Sequence, residues 1–76
     1  MVASVEKLIE KMKRQPNGIR PDEAEKVLAA FGYLPVRQKG SHVHYLNRQN
    51  GDLTTIKQEN PLKKAYVVDV LSRIGK

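Results

Sequence analysis

The feature that most constrains this chain is a change of hydrophobic period: helical before Tyr33, alternating from Tyr33 to Lys57, and helical again after Asn60. In the first stretch, Val5, Leu8, Ile9 and Met12 recur at i, i+3, i+4 and i+7, the apolar stripe of one helix, with Ser4 placed to cap its start. Gln15-Pro16-Asn17-Gly18 ends that helix, because a residue before proline avoids helical geometry and Asn-Gly turns. Pro21 opens a second helix, with Asp22, Glu23 and Glu25 near the positive end of its dipole. Ala24, Val27, Leu28 and Phe31 continue the stripe, and Gly32 stops it.

Residues 33–38, 42–47 and 53–57 read as three strands. Pro35 marks the first as an edge strand, Lys39-Gly40 as a turn, and Gln49-Asn50-Gly51-Asp52 as a hairpin in which Asn-Gly supplies the two positive φ angles of a type I′ turn. Asn60-Pro61 is expected to open the last helix, with Val67, Val70, Leu71 and Ile74 buried, Val68 beside them and Gly75 at the end. The order α-α-β-β-β-α gives an α+β fold: a three-stranded antiparallel sheet with helices on one face, its other face left for a ligand.

A chain of 76 residues holds one domain, 1–76, and excludes large enzymes with built-in cofactor domains. There is no cysteine, hence no disulfide scaffold, no cysteine-ligated zinc and no thiol catalysis. So thin a core is often helped by homo-oligomerisation or by a partner. No apolar run approaches the ~20 residues of a membrane span, and no secretion signal opens the chain, so a cytoplasmic protein is expected. The net charge is +6; residues 1–38 carry seven Lys/Arg against five Asp/Glu, and residues 39–76 seven against three. That excess favours a polyanion or an acidic protein surface as partner.

The two histidines, His42 and His44, stand two apart on the second strand and so share a face, opposite Val43 and Tyr45, which belong to the core. Imidazole exchanges protons near neutral pH. Cutting RNA needs a base for the 2′-OH, an acid for the departing 5′-oxygen, and cations for the phosphate. His42 fits the proton-transfer role, with Arg37, Lys39 and Arg48 as phosphate binders and His44, Lys57 and the Gly40-Ser41 turn around it. The plainer alternative leaves both histidines as solvated strand residues. A metal site is not expected, since His42 and His44 with Asp52 or Glu59 lack a recognised ligand spacing, and no cofactor motif is present. Tyr33, Tyr45 and Tyr66 could stack on bases, but their spacing suits packing better.

The string Arg37-Gln38-Lys39-Gly40-Ser41-His42, preceded by Phe31-Gly32-Tyr33 and followed by Tyr45, resembles the HicA-type toxins, a family of mRNA interferases. The downstream hairpin, the Leu53-Thr54-Thr55-Ile56 strand and the closing helix fit the same order, so the resemblance covers about residues 20–75. It implies a core over 20–76 like the double-stranded-RNA-binding domain, with residues 1–19 as an N-terminal helical extension. It also implies metal-independent cleavage of mRNA with His42 as catalytic residue, and silencing by a cognate HicB-type antitoxin. The competing expectations are a non-catalytic RNA-binding module and a basic interaction protein using the same sheet face.

Overall fold

The computed structural model describes residues 4–75; residues 1–3 of the expected extension and Lys76 lie outside the described residues. Six elements follow in order: α1 (Val5–Arg14), α2 (Pro21–Ala30), β1 (Tyr33–Lys39), β2 (His42–Asn47), β3 (Leu53–Lys57) and α3 (Lys64–Arg73). The strands form an antiparallel meander in the spatial order β1-β2-β3, the α+β arrangement that the change of period predicts.

Side chains bond free backbone N–H groups where α1 and α2 begin. The Ser4 hydroxyl accepts from the Lys7 N–H at 3.2 Å, and Leu8, Ile9 and Met12 of α1 are buried. At α2, the Glu23 carboxylate turns back to accept from the Arg20 N–H at 2.9 Å. Glu23 is itself buried, and the Lys11 ammonium of α1 reaches it at 2.7 Å. Burial opposes its ionisation, but the hydrogen bonds from Lys11 and the Arg20 backbone, with the charges of both residues, outweigh it and hold the Glu23 pKa below the usual value. This pair ties α1 to α2. Phe31, expected within the α2 stripe, is its C-cap and packs half-buried on the core; Gly32 then reverses the chain at φ +92°, a conformation that carries little cost only for glycine.

Burial alternates along the strands as a half-covered sheet requires. Val43, Tyr45 and Asn47 of β2, with Thr54 and Ile56 of β3, face the helices, whereas His42, His44 and Leu46 face away. Tyr33 and Tyr45 are each only 2% exposed and Tyr66 is partly buried, so the tyrosines pack into or against the core. Three features depart from expectation. First, the β1–β2 register slips between Pro35 and Arg37, leaving Val36 as a bulged residue without its own partner.

Second, Asn50-Gly51 forms no type I′ turn. Gly51 has φ +74°, but no non-glycine residue among the described residues has positive φ, so Asn50 lacks the mirror conformation such a turn needs. Asn47 and Asp52 instead close a four-residue loop, with Asn47 N–H donating to Asp52 O at 2.8 Å and Gly51 N–H to Asn47 O at 2.7 Å. The asparagine side chains prefer the nearby backbone: Asn47 Oδ1 accepts from Gln49 N–H at 2.9 Å and Asn50 Oδ1 from Asp52 N–H at 2.8 Å.

Third, Asn60-Pro61 does not open the last helix. That bond is cis, and the next residue, Leu62, is buried with its N–H bonded to the Ile19 carbonyl at 2.8 Å. Leu62 ties the chain to the α1–α2 connection, and α3 begins two residues later at Lys64, with Lys63 as its N-cap. Val67, Val70 and Ile74 are buried and Leu71 is partly so, while Val68 is 50% exposed.

A polar network closes the sheet end near the 47–52 loop. The Tyr33 hydroxyl donates to Asp52 at 2.6 Å, Arg73 reaches Asp52 at 2.7 Å and Asp69 at 2.8 Å, and Thr54 donates to Asp69 at 2.9 Å. The Asn47 amide donates to the Phe31 carbonyl at 3.1 Å. Tyr33's hydrogen bond, followed by that from Arg73, pulls the Asp52 pKa down; Asp52, followed by burial, pushes the Tyr33 pKa up.

Candidate nucleic-acid interface and reactive face

The open sheet face is built from cross-strand rows. His42 is paired with Lys39 on one side and Lys57 on the other. Because directly paired residues point to the same face, one imidazole is flanked by two ammonium groups. The next row is Arg37, His44 and Thr55, and the third is Leu34, Leu46 and Leu53. The face therefore runs from cationic beside the β1–β2 turn to aliphatic at the far end, where Leu34 and Leu53 are 50% and 51% exposed.

The turn that presents His42 consists of Gly40 and Ser41. Gly40 has φ +58° and Ser41 does not share the positive sign, the pattern of a type II′ turn, so the glycine is required at the first position. Gln38 Nε2 donates to the Gly40 carbonyl at 3.0 Å, and the Ser41 carbonyl accepts from Gln58 N–H at 2.6 Å. The backbone is thus held from both sides while His42, Lys39 and Ser41 stay exposed. Neither Arg37 nor Lys39 has an ion-pair partner among the described residues, whereas Lys57 lies 3.8 Å from Glu59.

The fold brings together most of the residues singled out in the sequence: Arg37, Lys39, Gly40, Ser41, His42, His44 and Lys57 share this face or its turn. Arg48 does not join them. It lies in the 47–52 loop, six residues and about 20 Å along β2 from His42, and cannot hold the same phosphate.

Sequence reasoning missed Thr55, whose Oγ1 lies 2.7 Å from His44 Nδ1. The β-branched centre of β3 was visible, but its register was not. A two-residue loop at Asn50-Gly51 would have set His44 opposite Lys57 and His42 opposite Glu59; the four-residue loop moves each pairing by two positions. It missed as well the shallow cavity of about 200 Å³ that Val36, Arg37, His44 and Leu53 line, since the bulge puts Val36 and Arg37 on one side. No group of three His, Asp or Glu side chains able to hold a metal ion occurs among the described residues. No helix among them is long and apolar enough to cross a membrane.

Compared with known families, residues 21–75 match the model described as the HicA toxin of bacterial toxin-antitoxin systems. The chain belongs to the HicA toxin family. No curated protein and no solved structure gives a significant match. The HicA match contains every row of the open face and begins at Pro21, so it spans α2 through α3 and excludes α1. The α-β-β-β-α arrangement of that segment is consistent with the double-stranded-RNA-binding-domain-like HicA fold, and membership implies a toxin with a cognate antitoxin as partner.

Proposed function

We propose that this toxin is an endoribonuclease that cleaves mRNA in the cytoplasm without a metal ion, with His42 transferring a proton, and that a HicB-type antitoxin silences it. What supports this is the row Lys39–His42–Lys57, in which a proton-exchanging imidazole stands between two cations on an exposed face. The ammonium groups, with Arg37 in the next row, hold a phosphodiester and stabilise the charge that builds on its oxygens. The Gly40-Ser41 turn sets the height of His42 above the sheet. Contact through backbone phosphates and a flat face favours recognition of shape over sequence. The 1–19 extension is read as part of the same domain, its helix α1 lying on the helical side of the sheet.

The test is cleavage of RNA in EDTA by wild-type and His42→Ala protein, scored for 2′,3′-cyclic phosphate ends. The wild type is expected to cut and to leave those ends, and the variant to be slower by about 10²-fold or more. RNA binding without a cut dependent on His42 would leave a binding module instead.

A further inference from the structure

We propose that His44 is the second proton-transfer group of this face and that Thr55 is the positioning residue that fixes it; the assignment rests on the ribonuclease reading above. His44 and His42 share one side of β2, two positions apart with Val43 between them, or about 7 Å along the strand. An in-line displacement at phosphorus places the attacking 2′-oxygen and the departing 5′-oxygen on opposite sides, so base and acid must stand apart. One imidazole takes the 2′-OH proton as the O2′–P bond forms. The other gives its proton to O5′ as the P–O5′ bond breaks, leaving a 2′,3′-cyclic phosphate and a 5′-OH. One ring ends the step protonated and its partner neutral, and exchange with solvent restores both.

What distinguishes His44 from a solvated strand histidine is its contact with Thr55. Nδ1 lies 2.7 Å from the threonine Oγ1, and no other hydrogen bond engages the ring among the described residues. A hydroxyl both donates and accepts. It accepts from Nδ1–H in the imidazolium, and it accepts equally from the neutral ring that keeps its proton on Nδ1 and has given up the one on Nε2. The imidazole therefore keeps its place through a full proton cycle while Nε2 exchanges with a ligand. A carboxylate at this position would instead hold the ring in its charged form.

The surroundings fit that role. His44 is only partly exposed and forms one wall of the shallow cavity of about 200 Å³ shared with Val36, Arg37 and Leu53, which adjoins the lysine row. The charged and titratable groups facing it are Arg37 across β1 and, one row along, Lys39, His42 and Lys57. The Glu59 carboxylate lies against Lys57.

The experiment is single-turnover cleavage of an RNA oligonucleotide in EDTA across a pH series, using wild-type, His42→Ala, His44→Ala, Thr55→Val and Thr55→Ser proteins. The expected result is a wild-type profile with two limbs, a His44→Ala rate lower by about 10²-fold with one limb missing, and His42→Ala slow as well. Thr55→Val should fall by about tenfold or more through a mispositioned ring, and Thr55→Ser, which restores the hydroxyl, should recover most of the rate. A fast His44→Ala protein with both limbs intact, beside an inactive His42→Ala, overturns this assignment and leaves the ribonuclease reading standing. So does weaker RNA binding by His44→Ala with an unchanged saturated rate and profile. Wild-type protein that never cuts overturns both readings.

Discussion

The two hairpins of this sheet use their polar residues in opposite ways. At the β2–β3 end, Tyr33, Asn47, Asp52, Thr54, Asp69 and Arg73 bond to one another or to the backbone. At the β1–β2 end, backbone groups and Gln38 hold the turn, Lys57 lies against Glu59, and Lys39, Ser41 and His42 are exposed with no side-chain hydrogen bond or ion pair among the described residues. A buried or half-buried polar group must find its partner inside the protein, whereas an exposed one can leave that partner to be supplied by a ligand. One end is bound to the fold and the other is held ready for something else.

The sharpest way to break this contrast is to exchange the readouts. His42→Ala should cost about 10²-fold or more in RNA cleavage while leaving thermal stability within a degree or two, because an exposed strand residue carries little packing. A fall in melting temperature comparable to a core substitution would place His42 on the structural side instead.

Asn47→Ala is the opposite case. It removes a side chain only 5% exposed that bonds both Phe31 O and Gln49 N–H, so a loss of about 2 kcal/mol is expected. In a domain this small that is a drop of about 10 °C, read by circular dichroism, with cleavage per folded molecule unchanged. Arg73→Ala should cost less, about 1 kcal/mol, since its ion pairs with Asp52 and Asp69 are partly open to water.

The titratable groups tied into the fold, at the bound end and in the core, also predict a pH dependence of stability, measurable as the urea midpoint against pH. Asp52 and Glu23 have lowered pKa values, so their contribution is present above the ordinary carboxylate range near 4 and is lost as pH falls through the folded values. Tyr33 and Tyr45 have raised values, the first mainly through Asp52 and the second through burial, so theirs is present below about pH 10 and lost as pH rises. Tyr33→Phe should flatten the alkaline limb and Arg73→Ala the acid one. The smallest effect belongs to the free end: Glu59→Gln releases Lys57 and should tighten RNA binding about two- to fivefold at low salt, less at high salt.

The legible parts of this structure were those set by local period. Val5, Leu8, Ile9 and Met12 announce α1, and the alternation of His42, Val43, His44 and Tyr45 sorts the open face from the core without knowledge of any neighbour. What was hidden depends on contacts distant in sequence. The β2–β3 register follows from a loop whose asparagines bond backbone rather than adopt positive φ, and that register selects Thr55 as the partner of His44. The contact that ties down the chain ahead of α3, Leu62 with Ile19, joins residues forty-three positions apart, where the local signals at Asn60-Pro61 favoured a helix. Arg48 looked like a neighbour of His42 in sequence, but strands carry their residues apart about 3.3 Å at a time.

The bulge in β1 also bears on how the chain behaves in a crowd. A sheet with an uncovered face and exposed Leu34, Val36 and Leu53 resembles a surface on which further strands could stack into fibres. β1 is an edge, but Pro35 presents no N–H and Val36 breaks the regular ladder one residue later. An incoming strand therefore finds no continuous run of donors and acceptors along it, so the toxin can keep that face bare without offering β1 as a template for aggregation.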